Sequence, residues 1–209
     1  IPEELDDYKT KDTKTAKLAK GIPLMEYLVS SESLIPNFYF LVESEGKKYI
    51  RFLTDTLKPH VDKHCRTKKD RENTGIGGSS LGALISIYSG FLYPEVYSKL
   101  LIFSPSLWVE PDNNFPMMSF RNPFKTKIYL YGGGKEGAKM VKRIGIFENY
   151  LKEWERTKRF SFEVRTHINP EGTHNEYYWS QEFPRAIEWL FYDNAENPVE
   201  VKPTQNTNP

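Results

Sequence analysis

The sequence predicts an α/β domain in which a mostly parallel sheet is covered by helices on both faces. Short apolar or β-branched segments at residues 74–76, 100–103, 127–131 and 162–168 have the length of strands. Segments with helical character follow three of them, so the order is strand, helix, strand, strand, helix, strand, helix. This alternation is typical of a parallel sheet, because a parallel connection has to cross from one end of the sheet to the other.

Four segments have the character of helices. One runs from Tyr49 to near Cys65, a second covers Leu81 to Tyr88 and is small and apolar, and a third lies between Lys139 and Lys158. Apolar residues recur at helical spacing in the first, the third and the last helix: Ile50, Leu53, Leu57 and Val61; Met140, Ile144, Phe147, Leu151 and Trp154; Phe183, Ile187, Leu190 and Phe191. We therefore expect one face of each of these three helices to pack on the sheet.

The two ends of the chain differ from its centre in composition. Residues 1–20 are polar and rich in Lys, Thr and Asp, which indicates a polar arm. Residues 21–193 form the predicted domain, in which the short apolar run Phe38 to Val42 is compatible with a strand. Residues 194–209 are rich in Asn, Pro and Thr without apolar periodicity, so we expect a disordered tail.

Charge and composition exclude several classes of partner. The 209 residues include 29 basic and 28 acidic side chains, and this balance indicates neither a nucleic-acid-binding nor a membrane-binding protein. No apolar run approaches the roughly 20 residues that span a bilayer. The single cysteine, Cys65, excludes an intrachain disulfide. The chain begins at Ile1 rather than Met, so the cytoplasm and an exported location after removal of a leading segment both remain open.

The strongest local signal is a G-x-S-x-G motif centred on Ser80. A predicted strand precedes the motif and a small-residue helix follows it, which is the strand–turn–helix context of a nucleophile elbow. We expect Gly78 and Gly82 because a side chain at either position would collide with the neighbouring strand or helix. The alternative is an ordinary helix start, with Ser79 or Ser80 as the N-cap residue.

A nucleophilic serine needs a base, an orienting acid and an oxyanion site. Among the four histidines, His174 lies in a polar loop at the carboxyl end of a predicted strand, whereas His167 lies inside that strand and is expected to be a packed or edge residue. Glu136 is the only carboxylate in the loop after strand 127–131; its alternative role is an exposed residue at a helix start. The N–H of Leu81, directly after the nucleophile, is the first expected oxyanion donor.

Two other groups of residues are candidate binding sites. His60 and His64 lie four residues apart on one helix, but HVDKH lacks the glutamate of the zinc-protease motif, and we expect a solvated pair rather than a metal site. Trp108, Tyr178 and Trp179 lie near the predicted site loops, where they form either an aromatic wall for a substrate or a cap on the core. Trp108 and Trp179 are the candidate substrate-binding residues.

Residues 57–108, 128–137 and 169–191 together resemble the esterase D-like branch of the α/β hydrolases, which includes siderophore trilactone esterases and carbohydrate feruloyl or acetyl esterases. The resemblance implies an α/β-hydrolase fold, with Ser80 at the nucleophile position, His174 at the base position and Glu136 where the acid usually falls. It implies hydrolysis of a siderophore lactone, a sugar-linked ester or a simple acyl ester, without a metal or organic cofactor. The amino-terminal strands of the family, one of which ends in the second oxyanion turn, are missing or diverged in this sequence.

Two other functions are compatible with the sequence. A non-catalytic binding module on a hydrolase scaffold is compatible with the unrecognised amino-terminal region. A serine peptidase would use the same three residues, since nothing in the sequence excludes amide cleavage. The oligomeric state is not indicated by the sequence.

Overall fold

The computed structural model describes residues 46–109, 115 and 124–192. The chain divides into two compact units, residues 1–47 and 48–209, and the fold below is that of the second unit. The predicted polar arm, the apolar run at residues 38–42 and the predicted tail after residue 193 lie outside the described residues.

Four parallel strands form the sheet, in the spatial order in which they occur along the chain. They are β1 (Gly75–Ser79), β2 (Lys99–Phe103), β3 (Lys125–Gly133) and β4 (Ser161–Asn169). The predicted parallel sheet is therefore confirmed. The first strand begins one residue later than predicted, continues through the two glycines to Ser79, and is partly exposed because β2 is its only partner among the described strands.

The predicted helices are all present, with shifted ends. The α-helices are α1 (Lys47–Arg51), α2 (Lys58–His64), α3 (Leu81–Leu92), α4 (Ala138–Arg156) and α5 (Glu176–Ile187). Two π-helical segments, Phe52–Leu57 between α1 and α2 and Glu188–Tyr192 after α5, join or extend them. Short 3₁₀ turns occur at Arg71–Asn73 and Gly134–Glu136. No described helix combines the length and apolarity needed to cross a bilayer.

Helices cover both faces of the sheet, as predicted. On one face, side chains of β2 and β3 pack against the end of α5 and the π-helical segment after it: Leu101, Phe103, Tyr129 and Tyr131 against Ala186, Trp189 and Leu190. On the other face, Gly90 of α3 lies against Leu100, and Gly132 of β3 lies against Ile144 of α4. Successive side chains of a strand point to opposite faces, so Leu100 and Leu101 contact different helices. Because helices cover both faces, polar groups collect at the carboxyl ends of the strands.

The last helix departs from its predicted packing face. Phe183 was expected to pack on the sheet, yet it is 51% exposed, whereas Glu182 is buried. Phe191 is 37% exposed, and its ring lies against Gly75 of β1, as expected. The Glu182 carboxylate accepts a short hydrogen bond from the Tyr129 hydroxyl and lies 2.9 Å from His167 Nδ1. Burial raises the pKa of the Tyr129 hydroxyl, which therefore stays protonated and remains a donor. A paired carboxylate thus occupies the buried side of α5. His167, expected as a packed or edge residue, lies beside it on β4 with its side chain 34% exposed.

Replacing Tyr129 by Phe removes the donor to a buried carboxylate and is expected to lower the free energy of unfolding by roughly 1–3 kcal/mol. Urea denaturation followed by circular dichroism measures the change. Tyr177→Phe is the matched control, because Tyr177 is 66% exposed on the helix that carries Glu182 and its replacement is expected to change stability by less than about 0.5 kcal/mol. Equal midpoints for the two variants would contradict the structural role of the Tyr129–Glu182 bond.

Candidate active site

The four residues that follow the four strands form the candidate active site. Ser80 follows β1, Ser104 follows β2, Glu136 lies in the turn after β3, and His174 lies in the loop after β4. Because the strands are parallel and adjacent, their carboxyl ends meet at one edge of the sheet. The sequence predicted three of these residues, and Ser104 was not among them.

Ser80 lies on a strained turn between β1 and α3. Its backbone has φ 55° and ψ −119°, a conformation that side-chain-bearing residues adopt only when the surrounding structure enforces it. A Cβ on Gly78 would lie 2.7 Å from the carbonyl carbon of Gly82, so the close approach of strand and helix requires glycine at position 78. At Gly82 the expectation was wrong, since a Cβ there would meet nothing within 4 Å.

The Ser80 hydroxyl is not a helix cap. Ser80 occupies the N-cap position of α3, but its side chain makes no capping hydrogen bond, so the alternative of an ordinary helix start is wrong. Its Oγ lies 3.3 Å from the Oγ of Ser106, a fully buried side chain. Leu81 is the first residue of α3, and its N–H therefore has no acceptor one turn back within the helix. That N–H is available to an oxygen bound beside Ser80.

Glu136 and His174 are joined by a hydrogen bond of 2.6 Å between Oε2 and Nδ1. A carboxylate only accepts, so the proton lies on Nδ1 and the Nε2 of the neutral ring carries a lone pair. The Glu136 side chain is 1% exposed and that of His174 is 26% exposed. The alternative of an exposed glutamate at a helix start is therefore wrong.

The Glu136 carboxylate accepts two further hydrogen bonds, which fix its other oxygen. Oε1 accepts from the Oγ of Ser104 at 2.6 Å and from the backbone N–H of Gly133 at 2.7 Å. Burial by itself raises the pKa of the Glu136 carboxyl, but the hydrogen bonds from these donors, foremost His174 and then Ser104, outweigh burial and hold the pKa below its usual range. The site therefore contains a buried carboxylate that is ionised at neutral pH.

This lowered pKa makes the stability of the fold depend on pH. A carboxyl whose pKa is depressed in the folded state contributes stability above its unfolded pKa, about 4.3 for glutamate, and loses it as the pH falls through the folded value. We expect the difference in unfolding free energy between the wild type and Glu136→Gln to be largest at pH 6–7 and to shrink below about pH 4. Urea titrations at several pH values measure it, and a difference that grows on acidification would contradict the assignment.

Glycines bring the acid and base loops together. Gly133, at the end of β3, lies directly against Gly172 in the loop after β4, and a Cβ on Gly172 would lie 2.8 Å from the Cα of Gly133. The N–H of Lys135 also donates to the carbonyl of Gly172 at 2.9 Å. No side chain fits between the two loops, so Glu136 and His174 are held within hydrogen-bond distance.

Of the predicted aromatic residues, Trp179 contacts the candidate site. Its indole N–H donates to the Oγ of Ser104 at 2.9 Å, and its ring meets the His174 ring edge-on, with centroids 5.0 Å apart. Trp179 also lines an apolar cavity of about 630 Å³. Tyr178 packs against the core and donates its N–H to Asn175, which caps α5. Trp108 lies partly buried in the turn that follows Ser106.

Of the predicted site residues, only Glu136 and His174 are directly hydrogen bonded to each other within the described part of the chain. Glu136 and His174 are hydrogen bonded, whereas the Ser80 hydroxyl has Ser106 as its partner and the buried Nε2 of His174 has no hydrogen-bond partner among the described residues. Ser80 N–H donates to the carbonyl of Phe103 at 2.9 Å, which places the nucleophile turn beside Ser104. Ser104 and Ser106 were missed, although the rule that polar residues after parallel strands meet at one edge applies equally to the end of β2.

The paired histidines of the first helical region lie outside the candidate site. The rings of His60 and His64 have centroids 4.2 Å apart, and the Nδ1 of His64 bonds to the carbonyl of His60. Within the described ranges, no group of three or more His, Cys, Asp or Glu side chains is arranged to hold a metal ion.

Comparison with known proteins identifies the family. The family model described as "Putative esterase" matches residues 41–190, well over half of the chain. The uncharacterized protein YbbA of Bacillus subtilis is 26% identical over 157 residues, which cover 71% of this chain and 61% of that protein. The chain thus spans less than two thirds of the length of this relative.

Solved structures share the fold at low sequence identity. The BES protein from Bacillus cereus is 19% identical, with a TM-score of 0.56 over 70% of this chain and 56% of that chain. The enterobactin esterase FES from Shigella flexneri is 18% identical, with a TM-score of 0.51 over 66% of this chain and 35% of that chain. Together with the parallel sheet and the strained serine turn, these likenesses establish an α/β-hydrolase fold, and the family match over residues 41–190 shows that the chain belongs to the "Putative esterase" family.

Proposed function

We propose that this chain hydrolyses carboxylic esters through an acyl-enzyme formed on Ser80. The observation that carries the proposal is the 2.6 Å hydrogen bond between His174 and the buried Glu136 carboxylate, at the edge of the sheet where Ser80 lies on its strained turn. Membership of the esterase family supports ester hydrolysis, and the residue roles are inferred from this geometry.

The proposed reaction begins with proton removal from Ser80. His174 Nε2 accepts the hydroxyl proton while Ser80 Oγ forms a bond to the ester carbonyl carbon, and the carbonyl electrons move to the oxygen. The N–H of Leu81 donates to the oxyanion, and Glu136 stabilises the imidazolium through Nδ1–H. The imidazolium then protonates the leaving alcohol. Water, deprotonated by the same imidazole, releases the acid and restores Ser80.

The resting geometry implies one movement of the nucleophile. The Ser80 hydroxyl is 3.3 Å from the Ser106 hydroxyl, and it has to turn toward His174 before proton transfer. We expect this movement to be confined to the Ser80 side chain, because the Ser80 backbone N–H is held by its hydrogen bond to the carbonyl of Phe103. Hydrogen bonds between catalytic groups often tighten only when substrate is bound.

The substrates that the proposal favours are small esters. The related solved structures include an enterobactin esterase and a ferulic acid esterase, the latter with a TM-score of 0.50 at 16% identity. We therefore propose a siderophore lactone, a sugar-linked aromatic ester or a simple acyl ester as the substrate. The matched relatives are longer than this chain. Among the described residues, only Leu81 is proposed as an oxyanion donor, whereas such sites use two. Removing one such donor from a serine hydrolase costs roughly 10²–10³ in rate.

Labelling with an organophosphonate tests the proposed function. We expect stoichiometric inactivation of p-nitrophenyl acetate hydrolysis, with the added mass located by peptide sequencing on Ser80 and not on the adjacent Ser79. Unfolded protein is the control, because an unactivated serine is not phosphonylated. Folded protein that binds ester ligands without label or turnover would instead indicate a binding module, and sustained cleavage of unactivated peptide amides would indicate a peptidase.

A further inference from the structure

Ser104 is a buried, strained residue at the end of β2. Its side chain is fully buried, and its backbone has φ 44°, one of three positive values among the described non-glycine residues. The backbone N–H of Ser104 donates to the carbonyl of Tyr131 at 2.7 Å. Positive φ is costly for a residue with a Cβ, so the surrounding structure enforces this backbone conformation.

The hydrogen-bond chemistry of its two partners fixes the orientation of the Ser104 hydroxyl. The indole N–H of Trp179 is only a donor, so Ser104 Oγ accepts from it at 2.9 Å. The Glu136 carboxylate is only an acceptor, so the hydroxyl proton points to Oε1 at 2.6 Å. With both roles assigned, the hydroxyl has a single orientation.

These contacts form a closed ring of four side chains that includes the proposed acid and base. Ser104 holds Oε1 of Glu136, the other oxygen of Glu136 holds Nδ1 of His174, and the His174 ring lies edge-on against Trp179 at an interplanar angle of 84°. Trp179 in turn donates to Ser104. Each of the four side chains therefore contacts two of the others, although they come from three separate segments of the chain.

We propose that Ser104 is a positioning residue whose hydroxyl, oriented by Trp179, holds Glu136 so that its second oxygen stays on His174 Nδ1. The inference rests on the proposed function, since it assigns Glu136 and His174 their catalytic roles. The alternative is that Ser104 only satisfies buried polar groups and has no effect on the imidazole. Only the positioning role predicts that loss of the Ser104 hydroxyl changes the pH dependence of activity and the NMR resonance of the His174 Nδ1 proton.

Ser104→Ala tests the proposal. We expect kcat to fall roughly 10- to 100-fold, the effect of losing a hydrogen bond to an ionised group, with KM little changed. This bond helps to lower the pKa of Glu136, so its loss makes the carboxylate a stronger acceptor for the His174 Nδ1 proton, and we expect the acid-side midpoint of kcat/KM to move to higher pH. The low-field NMR resonance of the His174 Nδ1 proton should shift or broaden by exchange. Tyr131 lies within electrostatic range of Glu136 and also of Glu182 and Tyr178, whereas Lys135 and Glu171 pair with each other at the surface.

Ser98→Ala is the matched control. Ser98 is also fully buried, but it precedes β2 at the opposite end of the strand, where its Oγ contacts the carbonyl of Thr74 and the Lys99 amine. A general loss of packing would affect both variants alike. We expect Ser98→Ala to lower stability without moving the acid midpoint or the Nδ1 proton resonance.

Trp179→Phe keeps an aromatic ring against His174 and removes only the donor to Ser104. We expect a smaller change of the same kind, and in the double variant with Ser104→Ala less than the product of the two separate effects. This variant decides the question if Ser104→Ala does not fold. Unchanged kcat and acid midpoint in the folded variants would overturn the positioning role. Activity that persists in Ser80→Ala would overturn the proposed function instead.

Discussion

Replacement of Ser80 by Ala is expected to reduce kcat for p-nitrophenyl acetate by about 10⁶-fold, the scale on which loss of a serine nucleophile acts. No other described hydroxyl occupies the strained turn at φ 55°, directly before the Leu81 N–H that is proposed to bind the oxyanion. Alanine preserves the backbone turn and the glycine contact beneath it, so the fold should persist while the acyl-enzyme is lost.

Ser79→Ala is the control for that experiment. Ser79 is adjacent, belongs to the same motif, and lies in β1 paired with Phe103 in the sheet. Its replacement is expected to leave kcat within a few-fold of the wild type. Steady-state kinetics measure kcat for both variants, and organophosphonate labelling measures whether each still carries a reactive serine. Equal losses in the two variants would show that the motif stabilises the fold and would leave the nucleophile unassigned.

Glu136→Gln is expected to reduce kcat by roughly 10³–10⁴-fold with little change in KM, as loss of an orienting carboxylate does in other serine hydrolases. The carboxylate accepts three hydrogen bonds, from Ser104, Gly133 and His174. A glutamine amide offers one oxygen and one NH₂ group, so at least one of the three donors loses its acceptor. If the NH₂ group faces His174, the ring adopts the tautomer with its proton on Nε2 and no longer accepts the Ser80 proton.

The neighbouring Glu171 provides a matched control. Glu171 lies in the loop before His174, but its carboxylate is exposed and pairs with Lys135 at the surface. Glu171→Gln is expected to change kcat by less than about twofold, because exposed ion pairs contribute little. Kinetics at pH 7–8, with thermal unfolding to verify folding, measure both variants. A similar, small effect of the two substitutions would remove Glu136 from the proposed mechanism.

Much of the candidate site was predictable from local sequence, because its residues follow recognisable strands. Ser80 was indicated by a G-x-S-x-G motif between a strand and a small-residue helix, and His174 and Glu136 by polar loops after strands. The parallel sheet then determines that loops at equivalent ends of neighbouring strands meet at one edge. The hydrogen bond between Glu136 and His174 is a consequence of β3 and β4 being neighbours.

Other features depended on contacts that local sequence does not specify. Ser104 lies 75 residues before Trp179 in the chain, and no periodicity links the two. Glu182 interrupts the apolar stripe of the last helix, and its burial follows from the Tyr129 hydroxyl opposite it on β3. In the same way, the open space beside Gly82 is a property of how α3 leaves the strand rather than of the motif.

The sequence alone determined the α/β class, the parallel order of strands and helices, and the three residues proposed for catalysis. The class follows from hydropathy periods, Ser80 from the stereochemistry of a strand–turn–helix junction, and Glu136 and His174 from polar loops directly after strands. Each of these signals spans only a few residues. The tertiary structure alone decided that Ser104 and Trp179 hold Glu136, and that Ser106 is the partner of Ser80. Such contacts arise from strand register and helix packing, which are settled by long-range interactions across the whole core.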